Sequence, residues 1–148
     1  MLKSGGIVEN YDSIVDGTGK IAMPGFIDVH IHGSCGIDFM DANVDQIKTI
    51  ANALYSEGTT TFLATTLTSD KDSLESVCKN VREAMSVVPS LGGIHFEGPY
   101  ISEKHAGAQN PDFIRNPNIE EFIVEMSVTK PEITVDDLGM DAFPDLLG

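Results

Sequence analysis

The chain has 148 residues, 41% hydrophobic and 22% charged, which is the composition of an ordinary globular protein long enough to bury a core. Its formal net charge of −14 argues against nucleic acid or an anionic membrane as a partner. The sequence has no apolar run of the ~18 residues that a membrane span needs, no signal peptide and only two cysteines, so we expect a cytoplasmic protein without a disulfide framework.

The first predicted elements are two short strands between Glu9 and Met23, joined by a turn at Asp16 and Gly17. The next segment, PGFIDVHIHGSCG, predicts a strand that ends in a polar site. Side chains alternate faces along a strand, so Asp28, His30 and His32 share one face and the apolar residues share the other. Glycines then turn the chain.

Two helices and a strand are predicted next. Apolar residues recur at helical spacing over residues 43–58 and again over residues 72–88, where Asp72 or Ser73 can cap the helix. Between them lies a β-branched run, Thr59–Ser69, which predicts a second strand.

A third strand is predicted over LGGIHFEGP, with Glu97 as its last residue before Gly98 and Pro99. A long loop leads to a short helical piece at residues 119–122, and residues 123–129 predict a fourth strand. Alternating strands and helices indicate a parallel sheet of βαβ units, either doubly wound or the first half of a (β/α)8 barrel.

Ligands bind at the C-terminal ends of the strands in both of these folds, and there His30, His32 and Glu97 would share one edge. Two imidazoles and a carboxylate suit Zn²⁺, Fe²⁺ or Mn²⁺, and such an ion lowers the pKa of bound water to about 7. Hydrolysis is the chemistry that follows. The alternative is structural: the histidines would be hydrogen-bonded core residues, and Glu97 would accept backbone N–H groups in a turn.

Three other polar residues are predicted to lie outside the ligand set. Asp28 sits deeper in its strand and is expected to be structural, Cys35 to pack in the turn, and His105 to be exposed in a loop.

The loop KHAGAQNP is small and polar. Gly107 and Ala108 allow a ligand to approach closely, while Gln109 and Asn110 offer donors and acceptors for sugar hydroxyls or a phosphate. The loop lacks the P-loop pattern, so it does not indicate nucleotide binding.

Three segments carry a family resemblance: PGFIDVHIHGSCGIDFMDA, SEGTTTFLATTLTS and GIHFEGPYISEKHAGAQNP. Together they resemble the amidohydrolase superfamily and, within it, the N-acetylglucosamine-6-phosphate deacetylases, over roughly Ile14 to Glu132. The resemblance implies a partial (β/α)8 barrel of three to four βα units in residues 24–135. Short strands in residues 1–23 would be the remnant of a β-sandwich, and residues 136–148 would be an acidic tail.

The resemblance also implies roles for individual residues. His30 and His32 match the first-strand metal pair, and Glu97 matches the carboxylate that ligates the metal. Ala108 and Gln109 match loop positions that contact the amino-sugar phosphate. The implied cofactor is a divalent metal, Zn, Fe or Mn, and the implied substrate is the small molecule N-acetylglucosamine 6-phosphate.

The chain departs from the family after Glu97. Two further metal-binding histidines and a catalytic aspartate on later strands have no counterpart here, so no catalytic residue is assigned. We expect a deacetylase by family whose chain, as given, is an incomplete and inactive fragment. The alternative is a non-catalytic half-barrel that binds metal or self-associates, since open sheet edges favour homo-oligomers or aggregation.

Overall fold

The computed structural model describes residue 13 and residues 15–123, which form a mixed α/β fold. Two 3₁₀ turns, Glu103–His105 and Pro111–Phe113, lie in the loop after the last strand, and residues 119–123 are helical. The strands and longer helices are, in chain order, β1 Phe26–Ile31, β2 Gly33–Ser34, β3 Ile37–Asp38, α1 Val44–Ser56, β4 Thr59–Thr65, α2 Lys71–Met85 and β5 Leu91–His95.

The main sheet has three parallel strands in the order β1–β4–β5. Helix α1 connects β1 to β4 and packs against β4, while α2 connects β4 to β5 and packs against β5. The two helices also contact each other. The predicted parallel sheet of βαβ units is confirmed. Within the main sheet, a helical crossover joins each strand to the neighbour with which it pairs.

The core lies between the helices and the sheet. Phe39, just after β3, stacks on Phe62 of β4 with ring centroids 5.9 Å apart. The other buried members of this cluster are Ala42, Ile47, Ile50, Ala51, Leu54, Ala64, Val77, Val81, Ala84, Val88 and Leu91.

Helix α1 begins where the sequence predicts. Asn43 accepts a hydrogen bond from the Gln46 backbone N–H at 3.0 Å, and the Gln46 side chain accepts one from the Asn43 N–H at 2.9 Å. This capping box satisfies two N–H groups that have no partner within the helix.

Helix α2 begins earlier than predicted. Its N-cap is Asp70 rather than Asp72 or Ser73, and the Asp70 carboxylate accepts hydrogen bonds from the Ser73 backbone N–H at 2.9 Å and the Ser73 hydroxyl at 2.7 Å. The side-chain oxygen of an N-cap residue can accept a hydrogen bond from the backbone N–H three positions later, which has no partner within the helix. Ser73 therefore serves as the donor to the cap.

The two strands predicted between Glu9 and Met23 are absent from residues 15–23, where the described chain makes only a turn. The Lys20 N–H closes it by donating to the Gly17 carbonyl at 3.0 Å. Residues 1–12 and 14, which carry the rest of that prediction, lie outside the described residues.

The turn predicted by the glycines after β1 is a short, regular β-hairpin. Strands β2 and β3 pair antiparallel, with Gly33 opposite Asp38. Cys35 and Gly36 lie at its tip with φ of 57° and 74°. Positive φ at both central residues is what a type I′ turn requires, and glycine adopts it without strain.

Strand β5 ends at His95, so Glu97 lies beyond the strand rather than at its last position. Of the predicted fourth strand, Ile123 is helical and residues 124–129 lie outside the described residues, as does the acidic segment 136–148. Within residues 15–123, none of the helices has the length and apolar character needed to cross a membrane.

Candidate metal centre

Three predicted ligands meet at the C-terminal edge of the sheet. Glu97 Oε2 lies 2.9 Å from Nε2 of His30 and 2.9 Å from Nε2 of His32. The two imidazole nitrogens are 3.3 Å apart. Within the part of the chain that the structure describes, this is the cluster of His, Cys, Asp and Glu side chains arranged to hold a metal ion.

The geometry of these atoms fits a divalent ion. Bonds of 2.0–2.2 Å leave neighbouring ligand atoms about 3.3–3.6 Å apart in a tetrahedral site and about 2.8–3.1 Å apart at the right angles of an octahedral site. The observed separations of 2.9, 2.9 and 3.3 Å fall within the span of these two geometries. Imidazole nitrogens with a carboxylate oxygen are also a donor set that Zn²⁺, Fe²⁺ and Mn²⁺ accept.

Glu97 reaches the histidines across the end of β4. Strands β1 and β5 are both paired to β4, so His30 lies on a strand that is not a direct neighbour of β5, the strand that Glu97 follows. The Thr66 N–H donates to the His95 carbonyl at 3.0 Å, which holds the chain leaving β5 against the end of β4. Glu97 follows two residues later and turns its carboxylate toward β1.

Neighbouring side chains orient the histidine pair. The Asp28 carboxylate accepts the His30 backbone N–H at 3.0 Å, which agrees with the structural role expected of Asp28. Thr65 Oγ1 accepts the Ile31 N–H at 2.9 Å and lies 3.3 Å from Nδ1 of His95. The His95 ring in turn packs against His30, with centroids 4.6 Å apart.

The environment of Glu97 favours its ionised form. Burial acts to raise the pKa of this carboxyl, but the hydrogen bond with His30 and the charges of His30 and His32 outweigh it. The nearby Gln109 side chain acts weakly in the same direction, and the pKa of Glu97 lies below its usual range. An ionised carboxylate is the form that binds a metal ion.

The structure separates the two loop residues predicted to contact substrate. Ala108 is exposed, whereas Gln109 is buried and its side-chain oxygen accepts the Thr68 N–H at 2.7 Å. Contact of either residue with a substrate stays a prediction. His105 is exposed, and Cys35 lies exposed at the hairpin tip with its sulfur 3.8 Å from Ser34 Oγ.

Sequence reasoning missed the two threonines that organise the site, Thr65 and Thr68. Both lie in the run TTTFLATTLTS, which the β propensity of threonine marks as a strand. Propensity carries no information about which hydroxyl is buried against a distant residue, so no local signal could have identified them.

Comparisons with known proteins identify the family of this chain. The sequence model of the amidohydrolase family matches residues 21–138. The N-acetylglucosamine-6-phosphate deacetylase of Bacillus subtilis is 42% identical over 109 residues, which are 70% of this chain and 28% of that protein. The chain therefore belongs to the amidohydrolase family.

The solved structures that resemble this chain are also N-acetylglucosamine-6-phosphate deacetylases. The Thermotoga maritima N-acetylglucosamine-6-phosphate deacetylase superposes with a TM-score of 0.64 at 39% identity, covering 69% of this chain and 28% of that one. A Mycobacterium smegmatis deacetylase mutant in complex with N-acetyl-D-glucosamine-6-phosphate has a TM-score of 0.66 at 29% identity, covering 72% and 28%. The chain spans less than a third of the length of these relatives.

Proposed function

We propose that this chain supplies the first part of a metal-dependent deacetylase that hydrolyses the N-acetyl group of N-acetylglucosamine 6-phosphate to acetate and glucosamine 6-phosphate. The observation that carries the proposal is the meeting of His30, His32 and Glu97 within 4.8 Å of one another at the C-terminal edge of a parallel sheet. The names of the similar proteins supply the substrate class.

The three side chains have separate tasks in this proposal. His30 and His32 offer neutral nitrogens and Glu97 an anionic oxygen, so together they hold a divalent cation and partly balance its charge. A divalent ion bound there polarises a carbonyl and makes water acidic near pH 7. The exposed fractions of the His30 and His32 side chains, 51% and 36%, leave that ion open to an acetamido group from solvent.

We also propose that the sheet is the beginning of a (β/α)8 barrel. The sequential order β1–β4–β5 and the contact between α1 and α2 support this arrangement, because consecutive units of a barrel are neighbours in the same way. In this proposal the exposed loop residue Ala108 would lie among the loops of such a barrel that surround the substrate.

The proposal is best tested in a chimera, because the relatives are much longer than this chain. The matching 109 residues of this chain replace their counterpart in the Bacillus subtilis deacetylase, and acetate release from N-acetylglucosamine 6-phosphate is measured. We expect metal-dependent turnover in the chimera and loss of at least 10²-fold in its Glu97→Gln variant, because a metal ligand is removed. Glu103→Gln, an exposed carboxylate in the loop, is the matched control and should retain the rate.

A folded chimera that binds zinc yet releases no acetate would contradict the proposal and favour the alternative of a non-catalytic metal-binding chain. The 148-residue chain alone is expected to release acetate far below the usual enzymatic range of about 1–10³ s⁻¹. General acid–base catalysis typically raises a rate by 10²–10⁴-fold, and no residue of this chain is assigned to that role.

A further inference from the structure

Gln109 is buried next to the candidate metal centre, with 8% of its surface exposed. Its Oε1 atom accepts the Thr68 backbone N–H at 2.7 Å, a buried hydrogen bond between residues 41 positions apart. A buried amide oxygen engaged in this way fixes the backbone of its partner, Thr68. The Gln109 side chain also acts, as the smallest of several influences, to lower the pKa of the Glu97 carboxyl.

Thr68 fixes the backbone of the same glutamate. Its hydroxyl donates to the Glu97 carbonyl at 3.2 Å. Gly98, the next residue, has a φ of +87°, and a Cβ atom built on it would lie 1.9 Å from Thr68 Oγ1. The chain at residues 97–98 is therefore packed directly against Thr68, with no room for a side chain between them.

These contacts fix the backbone that carries the Glu97 side chain. The Thr68 hydroxyl holds the Glu97 carbonyl, and the Gln109 amide oxygen holds the Thr68 backbone. The contacts of the carboxylate itself are the 2.9 Å approaches to His30 and His32. Neutral hydrogen-bonding groups suit this task because they orient a metal ligand without adding a positive charge that would cancel the attraction for a cation.

We propose that Gln109, acting through Thr68, is a positioning residue that fixes the backbone of Glu97 and so aims its carboxylate at the metal-binding point between His30 and His32. This inference rests on the proposed function, since it assumes that these three side chains bind a divalent ion. It gives the Gln109 side chain a task separate from substrate contact.

The test measures zinc affinity by competition with a chromophoric chelator, using the 148-residue chain and its Gln109→Met variant. Methionine keeps the length of the side chain but neither donates nor accepts these hydrogen bonds. We expect affinity to fall by about 10–100-fold, the usual effect of removing a group that orients a metal ligand. Asn116→Met, which removes an exposed amide from the same loop, should bind zinc like the unchanged chain.

Circular dichroism of each metal-free variant separates positioning from folding. A merely structural role would lower the temperature of unfolding and leave the affinity of the folded protein unchanged. If Gln109→Met does not fold, the zinc affinities of Thr68→Val and Thr68→Ser are compared instead. Valine removes the hydroxyl that holds Glu97, whereas serine retains it. We expect weaker zinc binding in the valine variant and recovery in the serine variant.

Equal affinity in the folded Gln109→Met variant and the unchanged chain would overturn this inference and leave the proposed function standing. Equal affinity in the two Thr68 variants would do the same if Gln109→Met cannot be studied. An unchanged chain that binds no zinc at all would overturn the metal site of the proposed function, and this inference with it.

Discussion

His30 and His32 can both reach Glu97 because one residue separates them at the end of β1. Alternation of side chains places both rings on the same side of the strand, and their Nε2 atoms come within 3.3 Å of each other. A third donor then completes a metal-binding group without any change of backbone direction. The compactness of this site is a consequence of strand parity.

Substitution of Cys35 tests whether the metal ligands are limited to nitrogen and oxygen atoms. The Cys35→Ser variant should keep the zinc stoichiometry and affinity of the unchanged chain, because the thiol lies exposed at the hairpin tip and outside the ligand cluster. Chelator competition on both proteins measures this. A loss of about tenfold or more in affinity would show that the sulfur takes part in binding.

Local patterns predicted the histidine pair and its edge of the sheet, but not the support behind Glu97. The HxH spacing and strand parity are visible within a few residues. The Thr68–Glu97 and Thr68–Gln109 hydrogen bonds join residues 29 and 41 positions apart, and both involve loops without periodicity. Only the folded chain brings them together.

At the scale of elements, the loop that carries Gln109 is anchored by Arg115. The Arg115 guanidinium donates to the carbonyls of Ser69 and Phe113 at 2.9 Å each and forms an ion pair with Glu121. The exposed fractions of these two side chains are 28% and 10%. This partly buried network ties the loop to Ser69, next to the N-cap of α2, and to the helical residues 119–123.

A double-mutant cycle measures the strength of that anchor. Arg115→Gln and Glu121→Gln, alone and together, should show a coupling of about 1–3 kcal/mol in urea unfolding at pH 7, since contacting groups in one network couple at this level. The exposed pair Lys48 and Asp45, at 3.2 Å, is the control and should couple by no more than about 0.5 kcal/mol. Equal coupling in the two pairs would contradict the anchoring role.

The anchor should also depend on pH in one direction. The hydrogen bond from Arg115 outweighs burial and holds the pKa of Glu121 below its usual range. The stabilisation is therefore complete above the ordinary carboxyl pKa and is lost as the pH falls through the lowered value of the folded state. Repeating the cycle at acidic pH should give a smaller coupling, and an increase would contradict the assignment.

The boundaries of the elements show where sequence patterns lose precision. The periodicity that places Ile47, Ile50 and Leu54 on one buried face of α1 was visible in the sequence and is confirmed. The cap of α2 was missed because DKDS offers three capping residues within four positions, and only the hydrogen bonds of Asp70 decide between them. The β2–β3 hairpin was missed because strands of two residues are too short to show alternation.

At the scale of the whole molecule, β1 forms an exposed edge of the described sheet. Its pairing partner within residues 15–123 is β4 alone, and Phe26, Ile27 and Val29 are 61%, 69% and 59% exposed. Of these, Ile27 and Val29 belong to the apolar face that the sequence pattern predicted, and the described residues leave both largely uncovered. An unpaired strand with apolar side chains is a template for association.

We therefore expect the 148-residue chain to self-associate, as the open half-barrel in the sequence predicts. Sedimentation velocity at increasing concentration should show oligomers, and Ile27→Lys should shift the distribution toward monomers by placing a charge on the edge strand. Val87→Lys, which adds the same charge at an exposed site after α2, should not shift it. A monomeric unchanged chain, or equal effects of the two variants, would contradict a role for β1.

The central claim is that His30, His32 and Glu97 form one metal site, and equilibrium dialysis against Zn²⁺ followed by metal analysis tests it most directly. The unchanged chain should take up about one ion, as expected of one site. His30→Asn combined with His32→Asn, and Glu97→Gln separately, should each reduce uptake to background, while the exposed-histidine control His105→Asn should not. An unchanged chain without zinc, or site variants that retain it fully, would contradict the account.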